Sequence, residues 1–262
     1  MKKENQEQIN LYADILNKAM INRQPTSAIS AADAALNIHD AYAIQMVNIE
    51  RALAQGEQVS GKKIGLTSLP MQNLLGVNEP NYGHLFQSMN MTGKQIPMKR
   101  LLQPHADGEI AFVLKEDIVG PNATVEDVYR ATDYVVGAIE IADSRVRDWK
   151  ITLLDTVADN ASAGLYVLGS KKVHLSDISL KDEKMKFYRN GQLTNEGSGS
   201  AGMGDPALCV AWLANKLSQF GVVLKKGEVV LSGALSAITP VRHGDHFEVI
   251  FSTLGTVTAE FI

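Results

Sequence analysis

The stretch "HADGEIAFVL", residues 105–114, decides how this chain is read. Ile110 to Leu114 is an unbroken apolar run, the pattern of a strand buried on both faces. Two carboxylates, Asp107 and Glu109, stand at its mouth with one glycine between them. Residues two apart in a strand point to the same side, so two negative charges meet at the edge of a core. Like charges that close are costly unless a positive group lies between them.

A third carboxylate bears on what that group is. Glu140 lies in "DYVVGAIEIA" (133–142), another apolar strand, on one face with Ala138 and Ala142. A lone Glu there is expensive unless it is paired or binds a metal. Three carboxylates from two strands, with no cysteine nearby, suit a hard cation such as Mg²⁺, Mn²⁺ or Ca²⁺ better than zinc. The same spacing also fits acids paired with Arg or Lys, or acids at solvated strand ends.

Outward from this pair the chain divides by texture. Residues 5–22 place Ile9, Tyr12, Ile15, Leu16 and Ala19 at helical spacing, and a second helix is predicted over Ile38 to Ala54. The expected organisation is a helical arm over 1–58 and a main domain over 59–262. In that domain "GKKIGL" (61–66), "EIAFVL", "DYVVGAIEIA", "GEVVLSGAL", "HFEVIF" and "TVTAEFI" read as strands. Asn190-Gly191 marks a hairpin, Thr124 opens a helix, and 205–221 is an amphipathic helix. Helices are few and do not alternate regularly with strands, so the fold class is α+β, mainly β.

Composition bounds the function. The 262 residues are 45% hydrophobic and 21% charged, with a net charge of −4 and no basic block, which gives no nucleic-acid footprint. No run reaches roughly 18 apolar residues, and the opening lysines are not followed by an apolar segment, so neither a membrane span nor a signal peptide is expected. The single cysteine, Cys209, cannot form an internal disulfide and fits a reducing compartment. A cytoplasmic protein is expected.

Other stretches are ambiguous alone. Lys63 could aim into a cleft or be solvated. "VADNASAG" (157–164) reads as turn chemistry. "LSGALS" (231–236) could present N–H groups to an anion or merely bend, and His105 could be a ligand, structural or exposed. "EGSGSAGMG" (196–204) reads as a loop.

Taken together and in order, "GKKIGLTS", "LLQPHADGEIAFVL", "RVRDWKITLLDTVADNAS" and "LSGAL…VRHGDHFEVIFSTLGTV" resemble the 2-keto-4-pentenoate hydratase family of the fumarylacetoacetate-hydrolase superfamily. The likeness runs from about residue 40 to the end. It implies a mixed β-roll, a Mg²⁺ or Mn²⁺ site and a homo-oligomer. By position, the metal ligands fall on Asp107, Glu109 and Glu140, and the active-site lysine on Lys63. Asn81 and Ser162 fall at catalytic positions. Leu66, Thr67, Asp159 and Leu235 fall in the substrate pocket.

Three positions depart from the family: Asp107 is usually Glu, Asn81 is aspartate in close hydratases, and Asp205 is commonly His. An amide cannot take a proton from water at neutral pH, though it can orient one. The implied substrate is a 2-hydroxy-2,4-dienoate, protonated at C5 and hydrated at C4 to a 4-hydroxy-2-oxo acid. The alternatives are a 4-oxalocrotonate-type decarboxylase, an acylpyruvate-type C–C hydrolase and a non-catalytic binding scaffold. Arg145, Arg147 and His84 are candidates for holding a second carboxylate at the far end of a substrate.

Overall fold

A computed structural model describes residues 3–262. Its centre is the strand on which the acids sit, β3 (Pro104–Leu114), paired antiparallel with β4 (Thr132–Asp143) in a nearly unbroken register. Around them run α1 (Lys3–Asn22), α2 (Ile38–Ala54), β1 (Val59–Gly65), α3 (Leu69–Leu75), β2 (Asn81–Phe86), α4 (Val125–Ala131), α5 (Leu153–Ala158) and β5 (Ala163–Leu168). The chain continues through β6 (Lys184–Arg189), β7 (Gln192–Ser198), α6 (Pro206–Ser218), β8 (Val229–Leu231), β9 (Thr239–Pro240), β10 (His246–Phe251) and β11 (Gly255–Glu260). No helix among the described residues is long and apolar enough to cross a membrane.

The larger sheet has the order β2-β1-β8-β3-β4-β5, with β9 beside the start of β3. Only β1 and β8 run parallel. The sheet curls into a half-barrel whose edge strands, β2 and β5, approach each other. A smaller sheet, β11-β10-β6-β7, covers its outer face. Two glycines set that contact: a Cβ at Gly108 would lie 2.2 Å from Met185 Sδ, and one at Gly137 2.5 Å from the Phe251 ring. Gly108 faces the second sheet because it alternates with Asp107 and Glu109, which therefore face into the half-barrel.

The arm shares the core of the sheet. Ile9, Tyr12 and Ile44 belong to one buried cluster with Ile110, Phe112 and Ile139. Tyr42 of α2 stacks on Tyr82 of β2 at 4.7 Å. Asn37 caps α2 by accepting from His39 N and Asp40 N, Thr124 and Asp127 cap α4 reciprocally, and Asp205 caps α6 by accepting from Ala207 N. Asp205 thus has a local structural task. Two segments differ from expectation. "EGSGSAGMG" is not all loop, because Glu196 to Ser198 complete the ladder of β7 against β6. The "GEVVLSGAL" strand shortens to Val229–Leu231, because Gly233 takes a φ of +106°.

Candidate active site

Register builds the site. Asp107 pairs directly with Glu140, and Glu109 with Ala138, so the three acids share the inner face. They are 4%, 1% and 2% exposed, and one carboxylate oxygen from each lies within 4.8 Å of the others. Ligand oxygens at about 2.0–2.6 Å from one ion are about that far apart. Asp107 Oδ1 has no hydrogen-bond partner, while Glu109 Oε2 accepts from Gly233 N at 2.8 Å. Burial, then the charge of Glu140, pushes the Asp107 and Glu109 carboxyls well above the usual carboxylate range. An all-oxygen, electron-rich and partly orphaned cluster fits a hard divalent cation.

Lys63 closes the cluster from β1. Its Nζ lies 2.9 Å from Glu140 Oε1 in a buried ion pair and donates to Ala161 O at 3.1 Å. Burial lowers the Lys63 pKa, but the charges of Glu140 and Glu109 outweigh it and hold the ammonium above its ordinary value. Asn81 pairs with Gly65 on the neighbouring strand, on the same face as Lys63. A Cβ at Gly65 would lie 2.4 Å from Asn81 Oδ1 and 3.6 Å from Lys63 Nζ, so the missing side chain lets these groups converge. Asn81 Oδ1 is buried without a hydrogen bond.

The "VADNASAG" segment makes more than a polar turn. Asn160, Ala161 and Ser162 take φ values of 55°, 52° and 52°, three successive left-handed residues without a glycine. Each costs roughly 1–2 kcal/mol and persists only where neighbours hold it. Asn160 holds it to the free edge of β2, accepting from His84 N at 2.7 Å and donating to His84 O at 2.9 Å. The turn thereby offers Ala161 O to Lys63, while Ser162 Oγ lies 3.2 Å from Thr156 Oγ1. Asp159 is fully engaged: both carboxylate oxygens accept from Arg145, and Oδ2 also lies 3.5 Å from Ser162 Oγ. Burial pushes the Asp159 carboxyl up to about 6 despite Arg145.

Beyond Lys63, Leu66 takes a φ of +57° and turns the chain so that Thr67 packs on Gly233, where a Cβ would lie 2.4 Å from Thr67 Oγ1. Leu235 is buried, its N–H donating to Gly108 O at 3.0 Å. Asp107, Glu109, Glu140, Lys63 and Asn81 therefore gather at one mouth of the half-barrel, and Thr67 packs on Gly233, whose N–H meets Glu109. The far-end candidates do not join them. His84 points to the opposite face of β2 and bonds Gln45 Oε1 at 3.1 Å through Nδ1. Arg145 is used by the Asp159 carboxylate and the carbonyls of Asp143, Asp159 and Ala163, and exposed Arg147 donates to Pro25 O. Sequence reasoning missed that His105, two residues before Asp107, faces the same mouth beside Trp149. Its odd-numbered position on β3 was the available signal.

Comparison with known proteins fits this geometry. Residues 69–262 match the family model "Fumarylacetoacetate (FAA) hydrolase C-terminal". The chain is 45% identical to a 2-hydroxyhexa-2,4-dienoate hydratase of Comamonas testosteroni over 86% of this chain and 87% of that protein. It is 42% identical to a 2-keto-4-pentenoate hydratase of Paraburkholderia xenovorans LB400 over 95% and 93% of the two chains. Among solved structures, 4-oxalocrotonate decarboxylase from Pseudomonas putida G7, complexed with magnesium and adipate, superposes with a TM-score of 0.95 at 31% identity, over 98% of each chain. The chain belongs to the 2-keto-4-pentenoate hydratase family within the fumarylacetoacetate hydrolase superfamily.

Proposed function

We propose that this protein is a hydro-lyase that adds water to a 2-hydroxy-2,4-dienoate, giving a 4-hydroxy-2-oxo acid, in meta-cleavage aromatic catabolism. The observation that carries the reading is the buried Asp107–Glu109–Glu140 cluster with Lys63 against it, in a chain whose similar relatives are named hydratases. Asp107, Glu109 and Glu140 would hold Mg²⁺ or Mn²⁺, which when bound supplies a Lewis acid for the substrate's C1 carboxylate and C2 oxygen.

The chain's own groups do the rest. Lys63, kept charged, binds the substrate carboxylate or carries a proton toward C5. Leu66, Thr67 and Leu235 wall the carboxylate end. Asn81 and Ser162 orient the water that bonds to C4, while C3 takes the balancing proton. Asp159 and Arg145 fix the turn that carries Ser162. A homo-oligomeric assembly is part of the same reading.

The second reading, decarboxylation, is favoured by the likeness to the decarboxylase structure, though at 31% identity against 42–45% for the named hydratases. One assay separates them. Loss of dienol ultraviolet absorbance is followed with and without Mg²⁺, with products identified, in wild type and in Glu109→Gln. The expected result is Mg²⁺-dependent formation of the 4-hydroxy-2-oxo acid, abolished in the variant. CO₂ as the dominant wild-type product would overturn the reading.

A further inference from the structure

His105 faces the mouth, and the chemistry above does not use it. It pairs with Ala142 in the same ladder that pairs Asp107 with Glu140, so its side chain shares their face. It lies about 7 Å nearer the open end, two strand residues away. The inward direction is closed by Leu85, Ala111, Val136, Ala138, Tyr166 and Leu231, which pack together inside the half-barrel. A dienoate held at the acids by C1 and C2 therefore extends its C4 end outward, toward the end of the sheet at which His105 stands.

The imidazole is held in place. Its ring meets Trp149 edge-on, with centroids 4.8 Å apart and planes at 78°, and Nδ1 lies 3.2 Å from Gln103 O. Trp149 Nε1 donates to the same carbonyl at 2.8 Å. Gln103 anchors this wall through its side chain, donating to Ser144 O and Val146 O and accepting from Asp148 N. A carbonyl can only accept, so Nδ1 carries the hydrogen, and whenever the ring is neutral Nε2 is the acceptor. None of Arg145, Arg147 and His84 brings a donor to this wall.

We propose that His105, backed by Trp149, is a substrate-contacting residue that sets specificity: Nε2 accepts a hydrogen bond from the oxygen added at C4, and the His105–Trp149 wall takes an uncharged tail and rejects a second carboxylate. The proposal rests on the dienoate reading. A lone-pair acceptor attracts a hydroxyl or water and repels a carboxylate, which is acceptor-only. The ligand class at the far end is thus a short alkyl group, not an acid.

Two measurements test it. The chain has two tryptophans, so Trp212→Phe leaves Trp149 as the reporter. In Mg²⁺-supplemented protein, 2-oxohexanoate should change Trp149 emission, whereas oxalate, which has no tail, should not. Next, kcat/KM at pH 8 is compared for 2-hydroxyhexa-2,4-dienoate and its 1,6-dioate analogue. His105→Phe should lower the first about five- to tenfold, the worth of one hydrogen bond, and His105→Gln, which keeps an acceptor, should recover most of it. His105→Arg should raise the dioate-to-monoacid ratio at least tenfold. Normal wild-type hydration with an unmoved ratio, or with Trp149 silent to 2-oxohexanoate, overturns this inference alone. Absent wild-type hydration overturns the dienoate reading and this inference with it.

Discussion

At the scale of single residues, Asn81 stands where its side chain converges with Lys63, and in the proposed reaction it would orient the water, yet it cannot take a proton. General-base assistance is typically worth about 10²–10⁴ in rate. Asn81→Asp places a carboxylate near the Lys63 ammonium, which would keep it ionised. Hydration turnover should rise tenfold or more, read by dienol loss under saturating substrate. Unchanged or lower turnover would mean that proton removal is not what limits the rate. The identity of this position was legible in the sequence, and so was the acid cluster, because alternation along two strands fixes which side chains share a face. What was not legible is convergence: Gly65 meets Asn81 only through the pairing of β1 with β2, and Trp149 reaches His105 only through a loop that Gln103 anchors.

At the scale of the element, β1 carries two successive lysines with opposite tasks. Lys63 faces the acids, and Lys62 faces the other way, buried and 3.0 Å from Glu228. Burial lowers the Lys62 pKa, and Glu228 opposes the shift. Lys63→Met should therefore remove nearly all turnover. Lys62→Met should leave Glu228 buried without its cation and cost on the order of 3–5 kcal/mol of stability, with a smaller loss of turnover in the folded fraction. Paired denaturant melts and turnover measurements check the split; equal, small effects on turnover from both would remove Lys63 from the chemistry. Nothing in "GKKIGL" announces the second buried lysine, because its partner lies 166 residues away in sequence. The turn over 160–162 was hidden for a related reason: its residue types fit ordinary turns, and only the grip of Asn160 on the β2 edge sustains three left-handed residues.

At the scale of the molecule, the arm reaches the site through Gln45. Its Nε2 donates to Tyr82 O at 3.1 Å and Val157 O at 2.7 Å, and its Oε1 meets His84 Nδ1, so α2 ties β2 to the helix that leads into the left-handed turn. Burial, then the charge of Lys62, lowers the His84 pKa to about 3. The unfolded chain, with an ordinary histidine near 6.5, binds this proton first as pH falls. Stability from this group is therefore present above about pH 6.5 and lost below it, at up to about 1.4 kcal/mol per pH unit. Against His84→Gln, wild type should lose stability more steeply between pH 6.5 and 4.5 in urea melts; parallel curves would exclude the effect. The glycine between the first two acids has a different kind of consequence. Gly108 gives way to Met185 of the second sheet, so an alanine there meets a sulfur that is itself buried. Sequence drift at this spot is order-dependent: Met185 must first be trimmed to a smaller side chain, and Val249 Cγ1, 3.0 Å from the new methyl group, must give slightly, before position 108 can gain that group without moving the acids on either side. Lineages that carry alanine at position 108 should also carry a shorter side chain at position 185, with intermediates that carry alanine beside the unshortened methionine rare or poorly folded.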